Sequence, residues 1–275
     1  MVATLNLIGA GHVGRVFGRL FAAHGGFDLK QVLTRSVSSA QQAVAFIGAG
    51  AAIDRYEQLQ PADVYILAVG DDQIAAACAA LAQALPLKGS IVFHCSGALA
   101  SDQLQTARGA GALVASVHPI RSFADPSAVA AQFPGTFCGI EGDEAALAVL
   151  IPALQAIGAQ PVRLDASAKT VYHAAAVFAS NYLVTVLDAA LRAYQAAGIP
   201  EAVARQLAQP LATESMANVF RLGAAAALSG PIARGDMATV ERQLGAVTQW
   251  DPATGDLYQS LIAPTIDLAR RKALK

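Results

Sequence analysis

Through its first 165 residues the chain alternates short apolar runs with longer stretches whose apolar positions recur at helical spacing. Residues 4–8, 29–33, 51–53, 64–69, 90–94, 113–117 and 136–140 read as strands. Several are almost uninterrupted apolar runs, the pattern of strands covered on both faces. Between them, 13–24, 38–48, 72–84, 101–109 and 143–157 carry the period of amphipathic helices. Regular alternation of this kind predicts an α/β fold with a doubly wound, mostly parallel sheet. A last strand is expected at 161–164, and from Ala168 onward the pattern is helical only. The expected helices are 168–198, 201–227, 236–244 and 254–272. Their breaks fall at Gly198-Ile199-Pro200, Gly230-Pro231 and Trp250-Asp251-Pro252. This change of character places a domain boundary near Asp165, dividing the chain into 1–165 and an all-α part, 166–275.

The first strand runs straight into Gly9-Ala10-Gly11-His12-Val13-Gly14, and a helical pattern with Val16, Phe17, Leu20 and Phe21 follows. G-x-G-x-x-G between a strand and a helix is the context of a dinucleotide-binding turn. Gly9 would allow the tight turn, Gly11 the close approach of a pyrophosphate, and Gly14 close packing of the helix on the sheet. Main-chain N–H groups near His12 and Val13 would face the phosphates. This predicts a Rossmann-type domain. In NAD-binding versions an acidic residue about 20 positions further on holds the ribose hydroxyls. Here the second strand ends in Leu33-Thr34-Arg35-Ser36, and Asp28 lies at the wrong end of that strand to serve. A guanidinium flanked by two hydroxyls suits a 2′-phosphate, which favours NADP(H) over NAD(H).

The net charge is -1 and no basic stripe appears, which argues against a nucleic-acid partner. Hydrophobic residues make up 55% of the chain and mean hydropathy is +0.44, so apolar surface is expected to be buried between copies, as in a homodimer. No segment reads as a membrane span: 174–191 is interrupted by Ser180, Asn181, Thr185 and Asp188. The start lacks the basic region of a signal peptide. Cys78, Cys95 and Cys138 are scattered, odd in number and without metal-ligand spacing, and read as buried thiols of a cytoplasmic protein.

Ligands of open parallel sheets bind outside the carboxyl ends of the strands. Val69 and Gly70 follow the fourth strand and would admit the cofactor's ribose; Asp71 or Asp72 could cap the next helix, with Asp72 favoured. Ser96 follows the fifth strand, toward the nicotinamide end, while His94 reads as structural. His118 follows the sixth as a rim acid or base. In the helical part Lys169 and His173 share a face, whereas Asn181 lies roughly 120 degrees round from Lys169 and reaches that face only if the helix bends. Asp236 is expected to cap a helix, and Arg234 is a candidate anion binder.

Taken together, residues 9–14, 94–98, 118–123, the Tyr172-His173-Ala174-Ala175-Ala176 to Ser180-Asn181 run and 230–236 resemble Rossmann-like proteins joined to a C-terminal helical domain of unknown function. That family is similar in layout to pyrroline-5-carboxylate reductase and to the 6-phosphogluconate and β-hydroxyacid dehydrogenases, whose helical domain completes the site and mediates dimerisation. The hydroxyacid enzymes carry K-x-x-x-N on the first long helix. Lys169 matches the lysine, but His173 stands where their asparagine would be. His118-Pro119 is also similar to the His-Pro element of prephenate and arogenate dehydrogenases.

The resulting expectation is an NADP(H)-dependent oxidoreductase moving hydride to or from a small carbonyl or imine. Lys169 and His173 would transfer the proton; His118, Ser96 and Asn181 would orient the substrate. The alternatives are a non-catalytic NADP(H)-responsive module and an ordinary NAD enzyme.

Overall fold

The computed structural model describes residues 2–24 and 26–273. The chain divides into two compact units, Met1–Val177 and Phe178–Lys275. The first unit is built on eight strands: β1 (Thr4–Ile8), β2 (Asp28–Leu33), β3 (Ala51–Ile53), β4 (Val64–Leu67), β5 (Ile91–His94), β6 (Leu113–Pro119), β7 (Phe137–Gly142) and β8 (Gln160–Arg163). They form one sheet in the order β3-β2-β1-β4-β5-β6-β7-β8. Pairing is parallel throughout except between β6 and β7. Its helices are α1 (His12–Ala23), α2 (Val37–Ile47), α3 (Ile74–Ala84), α4 (Gln105–Gly109), α5 (Pro126–Ala131), α6 (Glu144–Ala156) and α7 (Lys169–Val177).

The apolar runs are continuous because alternate residues enter two separate cores. Leu5, Leu7, Ile66, Phe93 and Val117 pack on one face, with Phe17, Phe21, Phe133 and Leu150. Ile8, Tyr65, Leu67, Val92 and Val114 pack on the other, with Leu81 and Leu104. Period-2 alternation with both faces covered leaves few positions for polar residues.

One helix in this unit, α5, was not expected from the sequence. Asp125 caps it, accepting from the Ser127 and Ala128 N–H groups, and Pro126 opens it. Because α5 lies against α1 and does not cross the sheet, the chain re-enters beside the carboxyl end of β6 and β7 runs antiparallel. His118 therefore faces Gly139 across the ladder.

The second unit comprises a π turn (Phe178–Tyr182), α8 (Leu183–Ala196), α9 (Glu201–Leu222), α10 (Ala224–Ala227), α11 (Met237–Trp250) and α12 (Pro252–Ala273). The expected helix 201–227 is broken at Gly223, whose φ of +83° suits glycine. Asp236 caps α11 through the Thr239 N–H, as expected, and α11 continues to Trp250, past the expected 244. Arg192 of α8 donates to Asp188, Asp251 and Thr254, tying α8 to the start of α12.

Two expectations change. The units part at Val177, not at Asp165, because the first turns of the long helix are built into the sheet through Lys169 and Tyr172. The helical run Ala166–Ala196, with a mean hydropathy of 1.5, is also long and apolar enough by length and composition to cross a membrane. Its polar residues do not lower that average enough, but the anchoring of Lys169 in the first unit gives its opening turn a different setting.

Candidate functional site

The turn after β1 divides its work among three glycines. Gly9 has a φ of +84°, and a Cβ there would lie 2.5 Å from the Ala68 carbonyl oxygen; its N–H donates to the Leu33 carbonyl at 2.8 Å. A Cβ on Gly14 would lie 2.6 Å from the Gly9 carbonyl oxygen. Both positions are closed by the protein itself. At Gly11 a Cβ would meet nothing within 4 Å, and the backbone there is extended, with a φ of -66°. Gly11 is the N-cap of α1 and supplies no side-chain cap, so the first N–H groups of α1 are left for a ligand. A dinucleotide pyrophosphate fits these residues. Beside the turn, the His12 imidazole donates from Nδ1 to the Phe123 carbonyl at 2.5 Å, tying α1 to the loop after β6.

At the end of β2, Thr34 donates to the Ser36 carbonyl at 2.9 Å and Ser36 caps α2 through the Ser39 N–H. Arg35 is exposed and, among the described residues, has no ion-pair partner. After β4, Val69 is half-buried and Gly70 leads into a turn, Asp71–Gln73. Asp72 does not cap α3: its carboxylate accepts from the Gln73 side chain, and Asp71 turns instead to accept from the Ser96 hydroxyl at 2.8 Å.

The loop after β5 is stapled almost residue by residue. The His94 ring spans it, bonding the Ala100 carbonyl at 3.0 Å through Nε2 and accepting the Ser96 N–H at Nδ1. The Ser96 hydroxyl accepts from the Ala98 and Leu99 N–H groups, and the Ser101 N–H and hydroxyl both donate to Glu141 of β7, at 2.8 and 2.7 Å. Lys169 completes this network. It is 1% exposed, and its Nζ donates to the Ser96 carbonyl at 2.9 Å and to the Ser116 hydroxyl, 3.6 Å from Glu141 Oε1. Burial pushes its pKa down and Glu141 pulls it back up. Its ammonium is held inside the protein as a buried anchor between the loop after β5 and β7. Ser96, 6% exposed with its hydroxyl engaged, is likewise part of the loop's frame.

Two imidazoles remain for chemistry. His118 at the end of β6 and His173 of α7 have ring centroids 5.5 Å apart, nearly edge to face. His118 Nδ1 lies 2.9 Å from the Tyr172 hydroxyl. Burial, then the neighbouring His173 and Lys169, hold the His118 pKa down at about 4. Burial also holds His94 down at about 4, in keeping with its structural role. The expected pair of Lys169 and His173 thus separates: they share α7, but one turns into the protein and the other toward His118. Ser180 and Asn181 fall in the π turn of the second unit and are exposed; Asn181's main-chain carbonyl accepts from Thr185 at 3.2 Å. Arg234 closes a short turn before α11 and is exposed.

Sequence reasoning did not single out Glu141, named Tyr172 and Gly97 only within the stretches that carry the family resemblance, and read Asp71 only as a possible helix cap. Glu141 stands out only as a charged residue inside an otherwise apolar strand. Gly97 carried no signal of its own until the two imidazoles were placed around it.

A model described as a Rossmann-like domain matches residues 3–119, and one described as Domain of unknown function (DUF2520) matches 136–265. The chain is thus similar to a Rossmann-like domain over its N-terminal part and to DUF2520 over its C-terminal part. Among curated proteins none matches it by sequence. Solved structures with the same fold include a candidate NADP oxidoreductase from Bacteroides fragilis, 20% identical, with a TM-score of 0.80 over 97% of this chain and 98% of that one. A protein from Thermotoga maritima is 25% identical, with a TM-score of 0.74 over 98% and 100%. An imine reductase from Myxococcus stipitatus in complex with NADP+ is 17% identical, with a TM-score of 0.65 over 98% and 94%.

The buried pair makes a sharp prediction. Lys169→Met leaves the Glu141 carboxylate buried without its cation and lowers unfolding free energy by about 3–5 kcal/mol in urea titrations. Adding Glu141→Leu recovers much of that loss. A single variant as stable as the wild type contradicts the anchor role.

Proposed function

We propose that the protein is an NADP(H)-dependent oxidoreductase that reduces, or forms by oxidation, a small carbonyl or imine. The observation that carries this reading is the opening at Gly11: the glycine that the fold itself does not require sits on the uncapped start of α1. Gly9, Gly11, Gly14 and the N–H groups at His12 and Val13 would hold the pyrophosphate, with Val69 and Gly70 near the ribose. Thr34, Arg35 and Ser36 would hold the 2′-phosphate, with Arg35 supplying the charge. The nicotinamide, when bound, supplies the hydride. His118 and His173 would hold the oxygen or nitrogen of the substrate, Ser96 and Lys169 would fix the loop behind them, and Asn181 is proposed to help orient the substrate. The names of the structural relatives support this reaction class. The three free thiols suit a reducing compartment such as the cytoplasm.

The protein is further proposed to act as a homodimer through its helical unit. Phe178, Tyr182, Val184, Leu211 and Phe220 are exposed there, Phe220 at 88%, and little of the apolar window in Ala166–Ala196 is buried. Exposed apolar surface of this extent suits a second copy. Light scattering at micromolar concentration is expected to give twice the chain mass, and Val184→Asp with Phe220→Asp to give the monomer. A wild-type monomer contradicts this.

Gly11→Val tests the main reading. The extended backbone accepts valine at a cost of about 1 kcal/mol as a poorer cap, so the fold persists. Thermal protection by NADPH and any NADPH-dependent turnover are expected to disappear. Retained protection overturns the reading. Arg35→Ala tests the cofactor choice: losing charged hydrogen bonds of about 1.5–3 kcal/mol weakens NADPH about 10- to 100-fold and leaves NADH nearly unchanged. Equal effects on both overturn it.

A further inference from the structure

Tyr172 reaches His118 only because of what lies opposite. Gly139 faces His118 across the β6–β7 ladder, and a Cβ on Gly139 would lie 2.5 Å from the Tyr172 oxygen. With that passage open, the phenol comes to 2.9 Å from His118 Nδ1. Burial pushes the Tyr172 pKa up to about 12 while His118 stays near 4, so near neutral pH both groups are uncharged, and the contact is met either by the phenol O–H donating to Nδ1 or by Nδ1–H donating to the phenol oxygen. A neutral imidazole has one N–H; where Nδ1 accepts from the phenol, that N–H is on Nε2.

His173 reaches the same state by another route. Its Nδ1 is buried and has no hydrogen-bond partner among the described residues. It lies against Gly97: a Cβ there would be 2.7 Å from His118 Nε2 and closer still to His173 Nδ1. A buried N–H without an acceptor costs about 1–3 kcal/mol, and orphaned donors are rarer in proteins than under-used lone pairs. The proton of His173 therefore belongs on Nε2, and a second proton on Nδ1 would be a buried donor facing a glycine.

We propose that Tyr172 and Gly97 are positioning residues that hold His118 and His173 as two neutral imidazoles, each carrying its proton on Nε2. The groups facing His118 are His173 and Lys169 from α7, which oppose an imidazolium, and Asp71 from the loop after β4, which favours one; burial adds to the first two. The pair offers N–H donors. It suits a substrate atom with a free lone pair, a carbonyl oxygen or the nitrogen of an unprotonated imine, and it opposes a protonated iminium, which offers only an N–H. This substrate preference rests on the hydride-transfer reading; the protonation states do not.

The test is two-bond 15N–1H correlation spectroscopy of the full chain, labelled with 15N-histidine and free of nucleotide, with His118→Gln and His173→Gln as assignment controls. Both rings are expected to be neutral at pH 7 with the proton on Nε2. Tyr172→Phe is expected to move the His118 titration upward and admit the Nδ1–H form. Gly97→Ala is expected to perturb the ring 15N resonances of His118 and His173 together. An imidazolium or an Nδ1–H tautomer on either wild-type ring at pH 7 overturns the proposal, as does a Tyr172→Phe spectrum identical to the wild type. If these spectra hold while no nucleotide binds, the oxidoreductase reading fails and the positioning roles stand.

Discussion

A lysine ammonium and a glutamate carboxylate, sealed from water between a helix and a sheet, fix the geometry of everything around them. Lys169 enters at the first turn of α7 and meets Glu141 of β7, while its Nζ also holds the Ser96 carbonyl. Glu141 in turn holds Ser101 at the other end of the same loop. A buried ion pair gains little net stability over a well-packed apolar one, because desolvating both charges offsets their attraction. What it fixes is register. With Lys169 pinned, Tyr172 and His173 one turn later must arrive at the carboxyl end of β6, beside His118.

That arrangement separates the chemistry from the charge. The cation and the carboxylate neutralise each other inside the protein, and the rim is left with two imidazoles. Burial keeps His118 uncharged, and the neighbouring positive charge of Lys169 reinforces the effect. In the turn after β1 the division of labour is among glycines. Gly9 and Gly14 are demanded by the packing of β1, α1 and β4, while Gly11 is free of any such demand.

The sheet was legible in the sequence because strands covered on both faces become nearly continuous apolar runs, and the runs at Thr4–Ile8 and Ala51–Ile53 match the observed strands residue for residue. The helix after β6 was not legible: α5 is six residues long, too short for its period to emerge, and its signal is Asp125-Pro126 alone. The unit boundary was displaced for a related reason. The change from alternating to purely helical pattern marks where strands end, but two turns of the following helix are held by the sheet through Lys169 and Tyr172. At the site, helical spacing correctly put Lys169 and His173 on one helix. It could not show that Glu141, far away in sequence, would draw Lys169 inward, nor that Gly97 would leave space for two rings. Those depend on long-range pairing that periodicity does not encode.

The pyrophosphate of a nicotinamide dinucleotide is proposed to sit at the start of α1. A crystal structure grown with NADPH tests it most directly. Phosphate oxygens are expected within about 3 Å of the main-chain N–H groups around Gly11, His12 and Val13, with the 2′-phosphate beside Arg35. A nucleotide seated elsewhere, or a turn left empty at saturating NADPH, would contradict it.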